Sequence, residues 1–356
     1  MRHLHGAART RHGGQAASPY PRRVQDRQIG YLALGLGKAI VLLAALVSLL
    51  SGCHPPSPTP RPVPRPDPAA FQGSNALAEV AAFLEVGPRD AGTPGAERAA
   101  HYLAGRLATL GVSAEVDTFS DVTPGGTGVF RNVIARLPGT STGLVVLAAH
   151  YDTKSGIPGF QGANDSGSGV GLLLALAAWY RAAPPLGPTV WLAFLDGEEC
   201  RVEYGPHDGL HGSRRLAQRL VEQGLGAQVR GVIVADMIGD RDLGVTLPRN
   251  GTPELMTAVF QAASREGCRS RFALHAGEVL DDHEPFLEAG LPAVDLIDFE
   301  FGSAPGLNDY WHTSADTLDK LSADSLGTVG RVLIRLLDDL DGQTTSGSTA
   351  SFKTAN

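Results

Sequence analysis

Five short runs of Val, Ile, Leu and Ala recur along the chain: RNVIARL (131–137), GLVVLAAHYD (143–152), TVWLAFLDGEE (189–199), RGVIVADMIGD (230–240) and PAVDLIDF (292–299). No other feature constrains the fold as strongly. Successive side chains of a strand point to opposite faces, so a continuously apolar run cannot lie on a sheet with one wet side. Both faces must be covered, and stretches of helical periodicity lie between most of the runs. Helices are expected near 75–86, 96–110, 168–181, 212–223, 253–266, 282–289 and 322–341. The fold class is therefore α/β: a three-layer sandwich with a mixed, largely parallel central sheet and helices on both faces. Sites in such sheets lie beyond the carboxyl ends of the strands.

Those ends carry chemistry. The second run delivers His150, Tyr151 and Asp152; the third delivers Asp196, Glu198 and Glu199; the fourth delivers Asp236; and a later loop delivers Trp311 and His312. Asp165 sits in the Gly-rich turn GANDSGSGVG ahead of a helix. A lone His or Asp at a strand end is usually a turn or capping residue. Convergence of five segments on His and carboxylate is different, and this N/O donor set suits zinc. His150 and Asp152, at i and i+2 on extended chain, share a face, so Asp152 can orient the imidazole. Glu198 and Glu199 are adjacent, and extended backbone sends them to opposite sides. One can then bind metal while the other faces substrate as an acid/base with its pKa raised by burial.

The chain ends read as accessories. Residues 1–53 have an Arg-rich lead, the apolar run AIVLLAALVSLL, too short to span a bilayer comfortably, and LSGC, Leu50 to Cys53. This is a signal peptide, and LSGC resembles the lipobox of bacterial lipoproteins, with Cys53 the lipidated residue; an uncleaved anchor is the alternative. Residues 54–69 are so rich in Pro that an extended spacer without packing partners is expected. The working domain is assigned to 70–341, and the polar, aperiodic tail 342–356 is expected to be disordered. Of 30 Lys and Arg and 37 Asp and Glu, seven cations and one anion precede Cys53, leaving 23 against 36. That balance argues against a nucleic-acid partner. Cys200 and Cys268 remain, and their spacing leaves a disulfide open.

The order HYDT, GANDSGSG, FLDGEE, ADMIGD and WHT resembles the M28 metallopeptidase superfamily. Within it, the animal-type glutaminyl-peptide cyclotransferases are more similar than the aminopeptidases. YGPHDGLHGSRRLA after the Glu pair, Asp281 opening DDHEPFLEAGLPA, and Trp311 before His312 carry that choice. The resemblance implies Asp165, Glu199 and His312 as ligands of a single zinc, Glu198 as general acid/base, Asp236 and Asp281 as acids bonded to it, and Trp311 as a substrate-stacking indole. Tyr204 stands where a pocket Trp is expected, and Asp295 where animal cyclases carry a His.

The reaction so implied is ring closure of an N-terminal Gln to pyroglutamate, with peptide or protein N-termini as substrates. The alternative keeps the same residues: with His150 and Asp236 as further ligands, Asp165 bridges two zincs and Glu198 activates water for aminopeptidase cleavage. A metal-free binding module on the same scaffold is a third reading. Other motifs carry less. GSGVG lacks dinucleotide-binding spacing. His207 and His211 fall in a Gly-containing loop and are expected to be solvated or hydrogen-bonded. Ser166 and Ser168 are expected as helix caps, and His283 as a hydrogen-bonder at a helix start.

Overall fold

The computed structural model describes residues 65–342. The signal segment with Cys53, most of the spacer and the tail from 343 lie outside the described residues. Eight strands form one sheet: β1 Ala114–Thr123, β2 Gly126–Leu137, β3 Leu144–His150, β4 Thr189–Leu195, β5 Val229–Asp236, β6 Val245–Leu247, β7 Phe272–Leu274 and β8 Ala293–Ile297. Their order is β1-β2-β4-β3-β5-β8-β6-β7. The central four, β4, β3, β5 and β8, run parallel, while β1, β2 and β6 add antiparallel pairings. The helices are α1 Gly73–Leu84, α2 Pro94–Thr109, α3 Gly167–Ala182, α4 His211–Glu222, α5 Pro253–Arg265, α6 Glu284–Glu288 and α7 Ala323–Gly342.

Strand periodicity divides the core as the apolar runs require. From β3, Val145, Leu147 and Ala149 point into the layer of α1, α2, α3, α5 and α7, and Leu144, Val146 and Ala148 into the layer of α4 and α6. α3 is apolar almost all round and nearly wholly buried. It lies so close to the sheet that a Cβ on Gly169 would come within 2.4 Å of Ala235 O. α4 is two-faced: Leu216, Ala217 and Leu220 face the sheet, while Arg215 and Arg219 pair with Asp117 of β1. α2 begins as its sequence dictates, with Thr93 Oγ1 accepting from the N–H groups of Gly95 and Ala96 and Pro94 in the first turn.

The expected helices all form, to within a residue or two at most ends. Three strands escape the apolar-run criterion. β1 is polar because it is an edge strand with one face in solvent, and β6 and β7 are three residues each. Folded structure also starts before residue 70. Arg65, inside the expected spacer, donates to Asp338 (3.0 Å), Asp341 (2.8 Å) and Pro185 O (3.1 Å), and a 3-10 turn at Pro68–Ala70 follows. Composition marks the prolines but not the cation among them that finds acids on α7.

Candidate active site

The parallel strands end on one side of the sheet, and the donor residues gather there. His150 closes β3, Asp236 closes β5, and Glu198 and Glu199 follow β4 after a turn at Gly197, whose φ of 77° suits glycine. Asp165 arrives from the loop between β3 and α3. His312 comes from the loop after β8, itself in the left-handed region at φ 53°. His312 Nε2 is 2.9 Å from Glu199 Oε1 and 3.2 Å from Asp165 Oδ2. His150 Nε2 is 3.1 Å from Asp165 Oδ1 and 3.2 Å from Asp236 Oδ1. Two triads of donor atoms result, Asp165–Glu199–His312 and His150–Asp165–Asp236, each with its atoms within 4.8 Å of one another and with Asp165 common to both.

The surroundings fit a cation. His150, Asp165 and Glu199 are buried, and Asp165 Oδ2, which faces His312 Nε2 at 3.2 Å, makes no hydrogen bond. Buried polar atoms are normally satisfied, and a carboxylate oxygen left unsatisfied beside an imidazole is what a ligand looks like without its ion. Burial, then the neighbouring Glu199, pushes the Glu198 carboxyl well above the ordinary range. Burial, then Asp236, does the same to Asp281. Burial alone would lower His150, but Asp152, Asp165 and Asp236 hold it well above its usual value.

The glutamate pair does diverge, but by a different device from the strand geometry the sequence predicts. It lies on a turn beyond β4, and the Asp152 carboxylate accepts the backbone N–H of both Glu198 and Glu199, each at 3.2 Å. Glu199 points to His312 and comes within 3.3 Å of Lys154 Nζ, which donates to Cys200 O. Glu198 Oε1 accepts from the Tyr204 hydroxyl at 2.8 Å. Asp152 is thus first a clamp on the acidic turn. Its Oδ1 also lies 3.5 Å from His150 Nδ1 and is among the acids that hold the imidazole's pKa up, the contact expected of an orienting partner. Tyr204 lines the site as expected and in addition bonds the acid.

A small cavity of about 120 Å³ opens over these groups, lined by Asp165, Glu198, Glu199, Tyr204, Asp236 and Asp281 on its acidic side and by Leu280, Ile297, Phe299 and Trp311 on its apolar side. It is well below the roughly 300–1,000 Å³ of drug-sized ligand sites, so a single residue fills it. Trp311 stacks on His312 with ring centroids 4.1 Å apart.

Two residues that no local pattern reveals hold the Asp165 loop. Buried Arg89 donates to Tyr151 O, Gln161 O and Gly162 O, and Asp316 accepts the backbone N–H of Asn164 and Asp165. Other expectations change. Ser166 bonds Asp152 O and Ser168 bonds Asn164 O, so neither caps α3. His211 opens α4 instead of lying in a loop, stacked on Phe130, and is hydrogen-bonded as expected, its Nδ1 2.7 Å from Asp121 Oδ2. His283 is buried with neither ring nitrogen hydrogen-bonded, although one of them lies within 4.8 Å of carboxylate oxygens of Asp281 and Asp295. Cys200 and Cys268 are both free.

A family model described as peptidase family M28 matches residues 132–337. The glutaminyl-peptide cyclotransferase-like protein of Bos taurus is 34% identical over 287 residues, which cover 71% of this chain and 72% of that one. Among solved structures, an Acidobacteriales bacterium glutaminyl cyclase superposes with a TM-score of 0.73 at 34% identity, covering 81% of this chain and 99% of the other. The glutaminyl cyclase of Porphyromonas gingivalis gives 0.67 at 29% identity, covering 76% and 98%.

Proposed function

The chain belongs to peptidase family M28, and from that premise we propose that it is a zinc-dependent glutaminyl-peptide cyclotransferase, converting the N-terminal Gln of peptides to pyroglutamate with release of ammonia. A Zn²⁺ held by Asp165, Glu199 and His312 would supply Lewis acidity toward the side-chain carboxamide. The protein's own groups do the rest. Glu198 takes a proton from the α-amine as its nitrogen bonds to the side-chain carbonyl carbon, and returns it to the departing nitrogen as the amide C–N bond breaks. Tyr204 holds that carboxyl by one oxygen. Asp281 and Asp236 keep it within a cluster where the acids share protons, since close carboxylates do not all ionise. Trp311 and Phe299 exclude water, which matters because hydrolysis would yield Glu in place of the ring.

The observation that carries this reading is Asp281, buried and in the wall of the same cavity as Glu198. In either reaction Glu198 carries a proton from the nucleophile to the departing nitrogen; a second buried acid beside it that belongs to neither metal triad is what the cyclase resemblance calls for. A second reading rests on the His150–Asp165–Asp236 triad, which would hold a second zinc for aminopeptidase cleavage. Assay of the purified protein on Gln- and Leu-naphthylamides, with metal counted per chain, separates them. Ring closure with one zinc supports the cyclase; Leu release with two supports the peptidase. Silence with no metal bound supports an inactive scaffold. We further propose that Cys53 carries a lipid anchoring the domain in the bacterial cell envelope, so that labelled palmitate enters the natural protein and not Cys53→Ser.

A further inference from the structure

Between the glutamate pair and α4 the chain makes a closed loop whose ends meet at Glu198. The N–H of Leu210 donates to Glu198 O at 2.9 Å and that of His211 to Gly197 O at 2.9 Å, while Arg214 of α4 donates to Gly209 O. Compact loops with adjoining ends are held from within by their own side chains. Here that side chain is Asp208. It is buried, and its carboxylate accepts three consecutive backbone N–H groups from across the loop: Arg201 at 2.7 Å on one oxygen, Val202 at 2.8 Å and Glu203 at 3.1 Å on the other. Its own backbone exchanges two hydrogen bonds with Gly205, at 3.0 and 3.2 Å.

Tyr204 is the residue between these two sets of bonds. With 201–203 tied to the Asp208 carboxylate and Gly205 to its backbone, the chain is fixed on both sides of Tyr204, and the phenol turns back to donate to Glu198 Oε1 at 2.8 Å. The ring packs directly on Gly209, where an added Cβ would come within 2.5 Å of Tyr204 Cδ1. The loop thus presents one hydroxyl to the acid/base, and a single carboxylate ties the strand of chain that carries it.

We propose that Asp208 is a positioning residue for the acid/base step: it folds the 201–208 loop so that the Tyr204 phenol reaches Glu198, and it acts on catalysis through that one hydrogen bond. The inference rests on Glu198 as the acid/base, a role common to the cyclase and peptidase readings.

The test uses the full chain with zinc, assayed on whichever of Gln- and Leu-naphthylamide the natural protein turns over. Asp208→Ala removes the acceptor of all three N–H groups, Asp208→Asn keeps one acceptor oxygen in the same volume, and Tyr204→Phe removes only the hydroxyl. Expected are a loss of about ten-fold in kcat for Asp208→Ala, a smaller loss for Asp208→Asn, and no further loss when Asp208→Ala is added to Tyr204→Phe. Zinc per chain stays the same throughout. An unchanged kcat for Asp208→Ala overturns the proposal. So does a double variant about a hundred-fold down, because losses that multiply come from separate routes. Loss of zinc from Asp208→Ala overturns it too, by making the loop a support for Glu199. Should Asp208→Ala fail to fold, Asp208→Asn with and without Tyr204→Phe carries the same comparison. A natural protein that acts on the Leu substrate alone sinks the cyclase reading and leaves this test intact, since Glu198 serves either reaction. If the natural protein acts on neither, crystal structures decide: a Tyr204 hydroxyl still bonded to Glu198 in Asp208→Ala overturns the positioning role, and its displacement supports it.

Discussion

Glu198 and Glu199 are neighbours with different work because Gly197 turns the chain and Asp152 ties down both of their N–H groups. Their variants should separate. Glu199→Gln is expected to fold and lose zinc, read by metal analysis after dialysis. Glu198→Gln should keep zinc and lose roughly 10²–10⁴-fold in kcat, the usual contribution of a general acid/base. Tyr204→Phe removes one hydrogen bond to Glu198 and no bulk; a loss of about ten-fold in kcat with KM little changed is expected. A rise in KM alone would return Tyr204 to the role of pocket wall. The residue types at these positions were legible in the sequence because five segments bring His and carboxylate to one end of the sheet, where any one of them alone would read as a turn or cap. The Tyr204 bond was not, because nothing local to the chain says where a phenol will point.

At the scale of elements, the central strands and their helices follow from apolar runs alone, and strand ends predict the side of the sheet on which the site lies. What escapes is the tertiary bracing. Arg89 precedes α2 yet supports the loop carrying Asp165, and Asp316 lies after the His312 loop yet caps the same segment. Both act across long sequence separations, and a lone charged residue carries no periodicity. Arg89→Met strands three carbonyls that the guanidinium now satisfies. At roughly 1–3 kcal/mol for each buried orphan, a loss of about 3 kcal/mol or more is expected in urea unfolding, with weakened zinc binding because Asp165 loses its support. Unchanged stability would show that water reaches those carbonyls.

For the whole molecule, the crowd of buried acids sets the response to pH once metal is removed. Burial pushes Asp196 up to about 8 and Asp282 to about 7; burial and then Asp165 lift Asp316 to about 7. Unfolded Asp titrates near 3.9, so between about 4 and 8 the native state holds more protons than the unfolded one, and stability falls as pH rises. His312 acts in the same sense. Burial alone would lower it, but Asp165 and Glu199 raise it to about 9. Its contribution is complete below about 6.5 and is lost as pH rises through about 9. Chelated protein should therefore melt progressively lower from about pH 5 to pH 9, and zinc should flatten that slope by taking the place of protons; circular dichroism at several pH values checks both.

The central claim is that Asp165, Glu199 and His312 grip one cation where an N-terminal Gln closes on itself. Its most direct test is the product mass of a Gln-initiated peptide incubated with the protein before chelation, after chelation, and after zinc is returned. The account predicts loss of one ammonia from an otherwise intact peptide, abolished by the chelator and restored by zinc. A peptide shortened by one residue, or ammonia lost equally without metal, would contradict it.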